Sequence, residues 1–158
     1  MNSLANALGK DFVKKKEAVR IRTFVLGGHT FKVKVPLTVE FELMQESMKT
    51  VDEEKIEKYF QDITKEIQKD NNIEGIEFTE NDILVDKRSM RETAKNKAIA
   101  EQRITEFFKL LVPEEDKFDM NTITYAMIEE LFPFPIQMQI MEEISRVVSI
   151  QYEVQKGK

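Results

Sequence analysis

The stretch RTFVLGGHTFKVKVP, from Arg22 to Pro36, decides how the chain begins to fold. Apolar and polar residues alternate on both sides of a Gly-Gly pair, which is typical of two antiparallel strands joined by a short turn. Pro36 ends the second strand, because proline cannot donate a hydrogen bond to a strand ladder. The sequence therefore predicts a β-hairpin over residues 19–35.

The register of this hairpin depends on which of its faces is apolar. A two-residue Gly27-Gly28 turn mixes apolar and charged residues on each face, whereas a Gly27-Gly28-His29 loop pairs Val25 with Phe31 and leaves one face apolar. We therefore predict the three-residue loop, with Val25 toward the helices and Phe24 outward. The outward face then collects like charges, which are unfavourable together unless solvent or an anionic partner covers them. The candidate partner-binding residues are Arg20, Arg22, Phe24, Lys32 and Lys34.

The rest of the chain is predicted to be helical, so the fold class is α+β, mainly α. Apolar residues recur at four-residue intervals over residues 3–16, which predicts a short amphipathic helix. Five more helices are predicted to start near Thr38, Asp52, Ser89, Thr124 and Pro135, the fourth of the six running to about Leu111 and the last to about Val154. The helix after Asp52 has the clearest apolar stripe, which we predict to be core: Ile56, Tyr59, Phe60, Ile63 and Ile67. Residues 76–85 form either a second small hairpin or an irregular loop.

The length of 158 residues favours one domain. We predict an arm over residues 1–17, a single domain over 18–154 with the hairpin (19–35) before a helical body (38–154), and a disordered tail over 155–158.

No apolar run approaches the roughly 20 residues of a membrane span, and there is no basic leader, so we expect a soluble cytoplasmic protein without a membrane partner. The absence of cysteine excludes disulfides and thiolate metal sites.

Charge is unevenly distributed along the chain. Residues 1–35 contain eight Lys or Arg and two Asp or Glu, a local charge of +6, so 16 of the 24 basic and 27 of the 29 acidic residues lie in the remainder. This split indicates either an interaction arm or simply a solvated basic face. It also supports the alternative function, a small nucleic-acid-associated protein that uses the basic N-terminal third. Nucleic acid is the weaker alternative, because the body is acidic and that face offers one aromatic residue for stacking.

Groups that could perform catalysis are scarce. The only histidine, His29, lies in the predicted hairpin loop, so we expect neither a catalytic triad nor a His-rich metal site. The Gly27-Gly28 pair lacks the spacing of a nucleotide-binding loop. Residues 70–81 match the first positions of a calcium loop, but Asn81 stands where a bidentate glutamate is needed. We therefore expect no enzyme activity, no cofactor and no metal site.

Three blocks of the sequence resemble the tail assembly chaperones of long-tailed (siphovirus-type) bacteriophages or prophages. The blocks are FVLGGHTFKVKVPLTVEFELM (24–44), EFTENDILVDKRSMRETA (77–94) and TITYAMIEELFPFPIQMQIMEEI (122–144), and the resemblance covers roughly residues 19–150. It implies a non-enzymatic factor of the bacterial host cytoplasm, absent from the mature virion. Such a factor binds the phage tape measure protein, keeps it soluble and recruits tail tube protein. Holding a long helical chain requires many copies, so self-association is expected as well.

Overall fold

The structure, a computed structural model, describes residues 3–69 and 73–149. It confirms the predicted class, α+β and mainly α, with an N-terminal hairpin followed by helices and a second, smaller sheet. The predicted tail over 155–158, the predicted end of the last helix at Val154 and part of the calcium-like stretch lie outside the described residues. The described residues form two compact units, and the single domain over 18–154 stays a prediction. Within the described ranges, unit 1 comprises 3–42 with 107–149 and unit 2 comprises 43–106.

Seven α-helices and five strands make up these units. In chain order they are α1 (Leu4–Ala7), α2 (Lys10–Lys15), β1 (Ile21–Leu26), β2 (His29–Lys34), α3 (Thr38–Lys49), α4 (Glu53–Lys69), β3 (Ile76–Phe78), β4 (Ile83–Val85), β5 (Arg88–Ser89), α5 (Met90–Phe108), α6 (Tyr125–Leu131) and α7 (Phe134–Val148). Short 3-10 turns lie at Ala18–Arg20 and Met120–Thr122. The predicted single helix over 3–16 is wrong, because Gly9, with a φ of 109°, separates α1 from α2.

The hairpin of unit 1 closes through a two-residue Gly27-Gly28 turn, so the predicted three-residue loop is wrong. Both glycines have a positive φ, 60° and 79°, as the tight hairpin turn with the favoured twist requires. Phe24 stands opposite Phe31, and the two rings stack with centroids 5.0 Å apart. Phe24 is 4% exposed and Val25 is 66% exposed, the reverse of the predicted orientation.

The sheet of unit 1 gains a further segment that explains this orientation. Lys34 N donates to Leu110 O and Val112 N donates to Lys32 O, both at 2.8 Å, so β2 lies between β1 and residues 110–112. α5 accordingly ends at Phe108, three residues before the predicted Leu111. α7 contacts both hairpin strands, and its buried side chains are Gln137, Ile140, Met141, Ile144 and Val147. Val33 is fully buried, so the face of β2 that contains it is the core face. The alternation of apolar and polar residues within β1 and β2 alone did not identify this face.

Unit 2 packs α4 and α5 against a small sheet. Its core cluster consists of Ile56, Phe60, Ile83, Ala94 and Ala98. The prediction is confirmed for Phe60 but wrong for Ile63, which is 36% exposed, while Thr64 is fully buried. Thr64 can occupy the core because its hydroxyl donates to Phe60 O at 2.6 Å, which satisfies the polar group within the helix.

The small sheet has the order β3-β4-β5, so of the two alternatives for residues 76–85 the structure has the hairpin, with β5 as an unpredicted third strand. Its anchor is Asp82, whose carboxylate accepts hydrogen bonds from the Ser89 hydroxyl and from the N–H groups of Ile83 and Arg91. Burial opposes ionisation of Asp82, but these three donors together outweigh it and lower the pKa of the carboxyl. Asp82 thereby joins the sheet to the first turn of α5.

Candidate partner-binding surface

Two of the predicted partner-binding cations are held by carboxylates of unit 1. Arg20 donates from Nε to Val35 O at 2.9 Å and from Nη2 to the carboxylate of Glu40. Lys34 Nζ lies 2.6 Å from Glu17 Oε2, and this hydrogen bond holds the pKa of Glu17 below its usual value. The pKa of Glu40 is lowered as well, first by the backbone N–H of Leu37 and then by Arg20. These charges are therefore largely compensated within the chain.

Arg22 and Phe24 have a different structural role. Arg22 Nη1 donates to Val147 O at 2.6 Å, in the last turn of α7, where the carbonyl groups of a helix carry partial negative charge. This bond lets a charged residue lie on the face of β1 that faces α7. Phe24 lies on the same face in the core. Both residues therefore join the hairpin to α7.

The register consequently divides the four candidates that lie in the strands between the two faces of the hairpin, while Arg20 precedes β1 in a 3-10 turn. Arg22 and Phe24 share the α7 face, whereas Lys32 and Lys34 lie on the opposite face beside Thr23 and Ile21. A single basic face around an exposed Phe24 is not formed. Among the described residues Lys32 has no side-chain hydrogen bond or ion pair, so partner binding through these residues stays a prediction that centres on Lys32.

An exposed apolar surface lies where α6 gives way to α7. Met127, Leu131 and Phe134 are 39%, 75% and 52% exposed. We call these three residues the α6–α7 corner. Met127 and Leu131 are one helical turn apart on α6, so their side chains project from one face of that helix. None of the three was predicted to be exposed, because the sequence pattern indicates a helix near Thr124 and another near Pro135 but not which of their apolar side chains stay uncovered.

The backbone beneath the α6–α7 corner is held by a buried amide. Gln137 Nε2 donates to Phe132 O at 2.8 Å, and Tyr125 Oη donates to Gln137 Oε1 at 2.7 Å. Gln137 thus spans the break between the helices, where Pro133 precedes the first residue of α7. The apolar side chains are therefore presented by a fixed backbone, which lowers the entropy cost of binding.

One acidic side chain flanks the corner. Glu130 is exposed on α6 next to Leu131, whereas the exposed Glu129 is two residues from both Met127 and Leu131 and lies on the other side of the helix. An apolar patch with an acidic neighbour is chemically suited to an amphipathic helix whose apolar stripe is flanked by lysine or arginine.

A buried carboxylate in unit 2 was not predicted from the sequence. Glu101 accepts a hydrogen bond from the Tyr59 hydroxyl, and Lys55 Nζ and Lys97 Nζ lie 3.4 and 4.0 Å from its oxygens. Lys97 Nζ also lies 4.2 Å from the centroid of the Tyr59 ring. The cluster links α4 to α5, and the two ammonium groups together with the Tyr59 hydroxyl compensate the buried carboxylate.

Two other classes of site were sought in the described ranges, 3–69 and 73–149. No group of three or more His, Cys, Asp or Glu side chains there is placed to hold a metal ion. No helix in that part of the chain combines the length and the apolar character needed to cross a membrane.

Comparisons of the chain with protein-family models, with curated proteins and with solved structures gave no match. Residues 122–144 contain all three residues of the α6–α7 corner.

Proposed function

We propose that the protein is a non-enzymatic tail assembly chaperone of a siphovirus-type phage or prophage. It binds the tape measure protein in the host cytoplasm, keeps it soluble, recruits tail tube protein and is absent from the mature virion. The observation that carries the proposal is the α6–α7 corner, an exposed apolar surface inside a block that resembles this family.

The corner suits weak and repeated binding. Fully burying a Leu, Phe or Met side chain contributes about 1.5–3 kcal/mol, so burying what remains exposed of Met127, Leu131 and Phe134 contributes about 3–5 kcal/mol in all. Association costs several kcal/mol, so one copy binds a helical segment weakly. When many copies bind side by side along one long chain, their combined affinity exceeds that of a single copy. Each copy can still be released as tail tube protein assembles.

Co-expression tests the proposal directly. The tape measure protein from the same genome is expressed alone, with the wild type, with a Leu131→Ser/Phe134→Ser double variant and with Leu43→Ser. Leu43 is a matched control, because it is 67% exposed on another helix, α3. We expect the wild type and Leu43→Ser to keep the tape measure protein soluble and the double variant to lose this effect. Equal solubility in all four cultures would contradict the proposal.

The same proteins distinguish the alternative, a small nucleic-acid-associated protein. That function predicts retention on DNA or RNA which falls steeply with salt and is weakened by Lys32→Glu. The intramolecular bonds of Arg20, Arg22 and Lys34 leave few free cations on the hairpin, so we expect little retention at physiological salt.

A further inference from the structure

Strand β1 has an open edge. β1 pairs with β2 alone, whereas the other edge of β2 is taken by residues 110–112, and no strand within 3–69 or 73–149 pairs with the outer edge of β1. Val35 N donates to Arg20 O at 2.8 Å, which fixes the phase of the ladder. The backbone groups of the even-numbered residues of β1 therefore face β2, and those of Ile21, Thr23 and Val25 face outward.

This edge lacks the usual protection against pairing. Proteins protect open edges with proline, bulges or outward lysines. β1 has six consecutive partners without a bulge and contains no proline. Its one charged residue, Arg22, lies on the α7 face and is bonded to Val147 O. The face opposite α7 carries three β-branched residues in alternation, Ile21, Thr23 and Val25.

We propose that two copies of the chain associate through antiparallel pairing of β1 with β1, centred on Thr23. This register sets Thr23 against Thr23 of the second copy and Ile21 against its Val25. All three cross-strand pairs on that face then join β-branched residues, which pack well in a sheet, and Val25 loses its exposure. The outward backbone groups of the two strands satisfy one another.

The pattern favours this register and a second copy as the occupant. Centring the pair on Ile21 or Val25 would shorten the overlap and set Thr23 against residues outside the strand. No like charges stand directly opposite each other across the new interface, because Arg22 faces Phe24 of the second copy. Lys32 lies opposite Thr23 within its own hairpin. In the dimer, the two paired β1 strands lie between β2 of one copy and β2 of the other. The two Lys32 residues are thus three strand spacings apart, about 14 Å, and their repulsion is largely screened at this distance.

Cysteine cross-linking tests the central pair. The chain has no cysteine, so a single introduced thiol can form a disulfide only between copies. A hydrogen-bonded antiparallel pair has Cα atoms about 5.5 Å apart, within the range of a disulfide. With oxidised glutathione we expect Thr23→Cys to become a covalent dimer and Thr30→Cys, on the same face of the inner strand, to stay monomeric. Equal cross-linking of the two variants would overturn the register.

Charge at the same position gives a second test, by sedimentation over a range of concentrations. Thr23→Lys sets two lysines together and should raise the dimer dissociation constant at least about fivefold. Mixing it with Thr23→Glu should restore dimers, and circular dichroism confirms the fold of each variant. A wild type that stays monomeric, or a dimer unaffected by Thr23→Lys, would overturn the proposal. A third result would also overturn the proposal, namely dimers of a chain that ends at Ser149 when the full chain is monomeric. Residues 150–158, and not a second copy, would then cover the edge. None of these results depends on tape measure binding, so the two proposals succeed or fail separately.

Discussion

Replacing Phe24 by alanine tests the packing of the hairpin against α7, on which the account of unit 1 depends. The side chain is 4% exposed and its ring stacks on that of Phe31, with the centroids 5.0 Å apart. A buried aromatic side chain removes about 150–250 Å² from water, which at about 25 cal/mol per Å² corresponds to about 4–6 kcal/mol. Allowing for the methyl group that alanine retains, we expect Phe24→Ala to cost about 3–5 kcal/mol.

Val25→Ala is the matched control, because Val25 is the next residue of the same strand and is 66% exposed. We expect its cost to stay near 0.5 kcal/mol, as for an ordinary surface substitution. Hydrogen exchange at the amides of Phe31 and Val33, which face β1, measures the free energy of opening unit 1 in both variants. A larger loss for Val25→Ala than for Phe24→Ala would refute the two-residue turn and restore the three-residue loop.

Further predictions concern the cores and the carboxylates. In urea unfolding, Phe60→Ala should cost about 3–5 kcal/mol, and Ile63→Ala should cost much less because its side chain is partly in solvent. Gln137→Ala should cost about 1–3 kcal/mol because it leaves the Phe132 carbonyl without its donor, whereas the exposed Gln139→Ala should be nearly neutral. The pKa of Asp82 is lowered on folding, so the unfolded chain binds its proton more readily. Stability should therefore fall as the pH drops below about 4, and Asp82→Asn should reduce that fall.

The sequence predicted the start of a helix correctly where the capping residue and the backbone N–H that it accepts from lie within a few residues of each other. Ser89 was predicted to cap α5, and its hydroxyl accepts from Glu92 N at 3.0 Å. Asp52 was predicted to cap α4, and its carboxylate accepts from Glu54 N at 2.9 Å. Each of these signals lies within a few residues of the chain, so no tertiary contact was needed to interpret it.

Errors arose where a distant segment decided which face is buried. The hairpin register was predicted from its own alternation, but residues 110–112 pair with the edge of β2 and α7 packs on the face that contains Arg22 and Val33. The two-residue turn places Arg22 on the α7 face, where its guanidinium donates to the carbonyl of Val147, 125 residues away, while the residue stays exposed. The alternation of the two strands contains no sign of this distant acceptor.

The candidate surface was missed for a related reason. Apolar residues at helical spacing predict a helix face, yet they do not tell whether another element covers it. Leu131 and Ile128 both belong to α6, but Ile128 is buried and Leu131 is exposed. In the sequence, the helix break at Phe132 and Pro133 was the one indication that α6 ends while some of its apolar residues are still exposed.

The dissociation constant between this protein and segments of the tape measure protein tests the proposed function most directly. Wild type, Leu131→Ser/Phe134→Ser and Leu43→Ser are titrated into the same labelled helical segment and followed by fluorescence anisotropy. Losing two apolar anchors should weaken binding at least about tenfold, since 1.4 kcal/mol corresponds to that factor, and Leu43→Ser should bind like the wild type. Equal dissociation constants for the three proteins, or no binding by the wild type, would contradict the account.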